Sequence, residues 1–107
     1  MAEPRQAGAV EAQAARPRTS PMWNIVLLDD DDHTYDYVVE MLSKLFRFSS
    51  ERAFQLAVEV DKTGRVVVET TTRERAELKR EQIQSFGADW RLDRSQGSMT
   101  AQIEPVT

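Results

Sequence analysis

Apolar and polar positions along the chain change period several times, and each change marks an element. Trp23 to Leu28 is a short apolar run with β-branched members that ends at an acidic stop. Such a run reads as a buried strand. From Tyr35 to Phe46 the apolar residues Val38, Val39, Leu42, Leu45 and Phe46 recur at helical spacing, and Thr34 is a suitable N-cap. Ser49 or Ser50 opens a second helix with Ala53, Leu56, Ala57 and Val60 on one face. Lys62-Thr63-Gly64 is a turn signal, and Arg65 to Thr70 is a strand of valines. Thr71-Thr72-Arg73-Glu74 has capping-box spacing. The third helix it predicts runs through Ala76, Ile83 and Phe86 to Gly87, read as the residue just past its end. Ala88 to Gly97 is a polar connection, and Ser98 to Glu104 alternates weakly as a last strand. The order β-α-α-β-α-β predicts an α+β fold in two layers, a three-stranded antiparallel sheet with three helices. That arrangement buries every apolar stripe.

Residues 1–21 depart from this pattern. They hold three of the four prolines, six alanines and none of the aromatic residues, all of which lie from Trp23 onward. Without large apolar groups a segment cannot offset the entropy of ordering itself. Residues 1–21 therefore read as a flexible N-terminal extension and residues 22–107 as one domain. The full chain of 107 residues suits a single small core.

Charge and composition narrow the function. The net charge is −4 and the isoelectric point about 5.0, which argues against nucleic-acid binding. There is no cysteine, so disulfides, thiolate metal sites and a cysteine nucleophile are excluded. No apolar run approaches a membrane span, and no signal peptide is visible. These features suggest a soluble, cytoplasmic protein. The lone histidine, His33, cannot build a multi-histidine metal site and reads as a loop or helix-start residue. Gly64 and Gly87 stand alone, so there is no glycine-rich phosphate loop.

The main chemical feature is Asp29-Asp30-Asp31-Asp32, between the first strand and the first helix. A helix start favours one or two carboxylates, but four in a row repel one another. Adjacent aspartates cannot all reach one ion, and the spacing of a calcium loop is absent. A third reading is a receptor for a cation. Carboxylates at a strand end, beside an apolar pocket, would hold a protonated amine through charge-assisted hydrogen bonds.

The stretch from Trp23 to Phe46, W-N-I-V-L-L-D-D-D-D-H-T-Y-D-Y-V-V-E-M-L-S-K-L-F, resembles the opening of the ClpS adaptors. The downstream R-A-F-Q-L-A-V-E-V, the Gly-turned strand and T-x-x-E-x-A-E-x-K also look like that family. The resemblance implies binding of a substrate's free N-terminus and its delivery to a ClpA- or ClpC-type AAA+ unfoldase, without catalysis or cofactor. It implies that Asp29, Asp30, Asp31 and Asp61 face the α-amino group. It likewise implies that His33, Tyr35, Val38, Ala57, Val60 and Met99 line the side-chain pocket. Glu74, Glu77 and Lys79 would dock on the unfoldase's N-terminal domain.

Several positions depart from the family pattern. Asp29 stands for an asparagine, Asp61 for a histidine, His33 for a threonine, and Tyr35 and Ala57 for methionines. The amine site becomes more acidic, and the pocket is narrowed at one wall and widened at another, so an altered first-residue preference is expected. Val38, Ala57 and Val60 also read as plain core, and Glu74, Glu77 and Lys79 as a solvated helix face. Two rival functions remain on sequence grounds. One is a regulator that docks on the unfoldase without recognising N-terminal amines. The other is an acidic metal-dependent hydrolase.

Overall fold

The computed structural model describes residues 21–106; apart from Pro21, the predicted extension lies outside them. The elements are β1 (Trp23–Leu28), α1 (Tyr35–Phe46), α2 (Ser50–Thr63), β2 (Arg65–Thr71), α3 (Arg73–Gln84) and β3 (Ala101–Pro105). This is the predicted order. The strands form one antiparallel sheet in the order β2-β1-β3. The predominantly apolar β1 is therefore central, where both its edges are hydrogen-bonded.

Ile25 and Leu27 of β1, with Val66 and Val68 of β2 and Ala101 of β3, join the buried residues of all three helices in one core. Strand side chains alternate between faces, so this set marks the helix-covered face. On the other face Arg65 and Glu104 pair at 2.6 Å, while Val26, on that same face, is fully buried. A register shift between Ile25 and Val26 leaves Val68 as the extra residue of β2.

Local chemistry accounts for the helix limits. Thr34 caps α1, its hydroxyl accepting from Tyr37 N–H at 3.1 Å, and Ser49 caps α2 through Arg52 N–H at 3.1 Å. Gly64 ends α2 at φ 89° with its N–H on the Val60 carbonyl, a left-handed geometry that glycine adopts without strain. The stripe of α1 is rotated slightly from the predicted one. Tyr37 and Met41 are fully buried, whereas Val39 and Leu45 are only partly so.

Two boundaries differ from expectation. Thr71 does not cap α3, because it is the last residue of β2 and pairs with Trp23; Thr72 caps instead, accepting from Arg75 N–H at 3.3 Å. The helix stops at Gln84 with Ser85 as cap, so Gly87, at φ 111°, turns the chain beyond the helix rather than at its end. The last strand begins at Ala101, later than predicted. Ser98 and Thr100 are spent on other ties, Ser98 accepting from Gly87 N–H and the Thr100 carbonyl from Leu28 N–H.

Candidate functional site

The acidic run forms the turn from β1 to α1, and its four carboxylates have unequal surroundings. Asp29 N–H is held by the Gly64 carbonyl at 3.0 Å, which brings the end of β1 against the α2–β2 turn. Asp29 and Asp61 are thereby close enough for their charges to interact. Burial raises the Asp29 pKa, as do the charges of Asp61, Asp30 and Asp31, against the lowering effect of a hydrogen bond from Asp30 N–H. The charges of three of the four predicted amine-site residues thus act on the fourth. Opposing them is the Tyr35 hydroxyl, which donates to Asp61 Oδ2 at 2.5 Å. That bond, then burial and the charges of Asp61 and Asp29, raise the Tyr35 pKa.

Asp30 faces inward. One oxygen accepts from Asp32 N–H at 2.8 Å and lies 2.7 Å from His33 Nδ1. His33 Nε2 lies 2.7 Å from the Gly97 carbonyl. Both His33 partners are acceptors, so the ring makes both bonds only when both its nitrogens carry hydrogen. Its side chain is 4 % exposed and tilts against Tyr37 at 4.5 Å. Asp32 pairs with Arg94 at 3.2 Å, and Arg94 also donates to the Asp31 carbonyl. Beside these groups lies a polar cleft of about 520 Å³, lined by Asp30, Asp32, His33, Arg94, Gln96, Gly97, Ser98 and Thr100.

The remaining predicted pocket residues are core. Val38, Ala57, Val60 and Met99 are between 1 and 3 % exposed. Tyr35, by contrast, is 37 % exposed and meets Phe54 edge-on at 5.7 Å.

The predicted docking residues lie on α3. Glu74 is exposed, and Glu77 pairs with Arg73 at 3.1 Å. Lys79 reaches back to α1, donating to the Leu45 carbonyl at 2.6 Å and lying 5.4 Å from the centre of the Phe46 ring. Burial, and the like charges of Arg75 and Arg47, lower its pKa.

Sequence reasoning missed Asp89. It is fully buried and accepts four hydrogen bonds. Thr34 N–H and hydroxyl donate at 2.7 and 2.8 Å, and Arg91 N–H and guanidinium at 3.1 and 3.0 Å. Burial opposes its charge, but these bonds outweigh it and hold the carboxyl at about 2. Arg91 also reaches Glu40 on α1 at 3.0 Å. Asp89 therefore pins the 88–97 connection to the start of α1, next to the acidic turn. The only advance signal was an aspartate and an arginine two residues apart in a segment with no apolar stripe.

This two-layer domain, with an acidic turn leading from its central strand, has the architecture of Clp protease adaptors. The family model of the ATP-dependent Clp protease adaptor protein ClpS matches residues 18–90, and the chain belongs to that family. It is an adaptor of the Clp protease system. A solved structure of Agrobacterium tumefaciens ClpS2, bound to L-phenylalaninamide, is similar to it with a TM-score of 0.71 at 22 % identity. The match covers 81 % of this chain and 99 % of that one, and at this identity it speaks for the fold. Among the described residues no group of histidines, cysteines and carboxylates is arranged to hold a metal ion, and no helix is long and apolar enough to cross a membrane.

Proposed function

We propose that this adaptor binds the free N-terminus of substrate proteins and delivers them to a ClpA- or ClpC-type AAA+ unfoldase, with an altered preference for the first residue. The observation that supports the reading is that the charges of Asp61, Asp30 and Asp31 all act on Asp29, where β1 meets the end of α2. Carboxylates only accept hydrogen bonds and an ammonium only donates them, so the two are complementary. Val38, Ala57, Val60 and Met99 supply the apolar wall, and His33 fixes the turn's shape from behind. Glu74 and Glu77 form the docking face with Lys79, and residues 1–21 take part in delivery.

The test is an array of peptides bearing each of the twenty first residues, free or N-acetylated. Binding that falls on acetylation supports the reading, and indifference to acetylation refutes it. One observation favours a second reading, a regulator that docks without recognising amines: the four apolar wall residues are almost fully buried. On that reading the domain competes for the unfoldase but binds free and acetylated peptides alike.

A further inference from the structure

Tyr35 opens α1 and Asp61 lies in the last turn of α2, so the hydrogen bond between them ties two helices together. It does so where Asp29 leaves β1, and the charges of both Asp29 and Asp61 act on the phenol. The bridge is on the surface. Tyr35 is 37 % exposed and Asp61 exposed, so packing of the core does not demand it. Phe54, itself 49 % exposed, meets the Tyr35 ring edge-on at 5.7 Å, and Tyr35 is not among the residues of the buried core.

We propose that Tyr35 is an internal occupant of the amine site, a latch whose hydroxyl holds the carboxylate that an incoming chain terminus must take. This inference rests on the N-terminus-binding reading above and deepens it. A phenol offers one donor, whereas an ammonium offers three and carries charge. Both donors make charge-assisted bonds to the carboxylate, but only the ammonium adds an ion pair with Asp61 and Asp29, so an ammonium displaces the phenol. It then binds more weakly than it would to an open site, because the Tyr35–Asp61 bond has to be broken first. An acetylated terminus does not compete for Asp61 and is not held back by the latch.

The decisive variant is Tyr35→Phe, which keeps the ring and its contact with Phe54 and removes only the donor. Peptides labelled at the C-terminus, identical except for a free or acetylated N-terminus, are titrated by fluorescence anisotropy against wild type and variant. A net hydrogen bond of ordinary strength corresponds to about threefold to tenfold tighter binding of the free peptide by the variant. Binding of the acetylated peptide is expected to be unchanged. In an Asp61→Asn background the same Tyr35→Phe change should have much less effect, because the two residues act as one unit. If wild type discriminates free from acetylated termini but Tyr35→Phe binds the free peptide equally or more weakly, the latch is overturned and the binding reading survives. If neither protein discriminates, the binding reading fails and the latch with it. Discrimination that emerges only in Tyr35→Phe would mean that an ammonium does not displace the phenol in the wild type, and would overturn the latch as stated.

Discussion

Replacing Asp89 tests whether a single buried carboxylate holds the 88–97 connection against the acidic turn. In Asp89→Ala the Thr34 N–H and hydroxyl and the Arg91 N–H lose their acceptor together. The Arg91 guanidinium keeps only Glu40. Hydrogen bonds to a charged group contribute roughly 1.5–3 kcal/mol each, but these four share one carboxylate and are not additive. A loss of about 3 kcal/mol is expected. Asp89→Asn is scarcely milder, because its amide nitrogen turns a donor toward donors. In a domain of this size about 3 kcal/mol lowers Tm by about 12–24 °C. Urea unfolding followed by tryptophan fluorescence measures the loss, with exposed Asp93→Asn as a control expected within about 0.5 kcal/mol of wild type. The pH dependence is a second check. The folded carboxyl sits at about 2, below its ordinary 3.8, so the unfolded chain binds the proton more readily. The stabilisation is therefore complete above about pH 4 and lost as pH falls through 2. The depression corresponds to about 2 kcal/mol. The gap between wild type and Asp89→Asn should narrow by that amount over this window. A variant within 0.5 kcal/mol of wild type at pH 7, or a gap that does not change with acid, would refute the reasoning.

Other outcomes follow from single contacts. Asp31→Ala should weaken binding of a free N-terminal peptide by about 1–3 kcal/mol if its carboxylate meets the ammonium, and calorimetry showing unchanged affinity would rule that role out. Gly64→Ala should cost about 1–2 kcal/mol in urea unfolding, because φ 89° is strained for any residue with a Cβ, although nothing crowds that Cβ. Ser49→Ala should destabilise by about 1 kcal/mol through loss of the α2 cap; an unchanged midpoint would mean that another group caps the helix.

The parts of the fold written in local signals were legible. Ala53, Leu56, Ala57 and Val60 repeat at helical spacing and are all buried, and Thr34 caps because its hydroxyl needs only Tyr37 N–H three residues on. The α3 boundary was misread because Thr71 and Thr72 are chemically alike. Only the pairing of Thr71 with Trp23, far away in sequence, assigns one to the strand and the other to the cap. The same limit hid the site's supports. Asp89 and Thr34 are 55 residues apart, and His33 and Gly97 are 64 apart. No spacing rule predicts either tie, whereas the acidic run announced itself by composition.

The four adjacent carboxylates pose an energetic problem whose solution lies in that connection. Like charges on neighbouring residues repel, yet the turn is held in one shape. Asp30 is drawn inward to His33 and the Asp32 N–H, and Asp32 outward to Arg94. Two of the four charges thus have a partner on the ring or the guanidinium, while Asp29 and Asp31 stay exposed. Arg94 and the Gly97 carbonyl belong to the connection, which Asp89 anchors by way of Thr34. The connection therefore shapes the surface proposed to bind N-termini, and Arg94 offsets part of its negative charge. If so, loosening it through Arg94→Ala should weaken binding of free N-termini more than its small effect on global stability would suggest. Arg94 is exposed, and its pair with Asp32 is worth no more than about 1 kcal/mol to the fold. Measuring both quantities on the same variant separates the two effects. An affinity loss no larger than the stability loss would mean that the turn keeps its shape unaided.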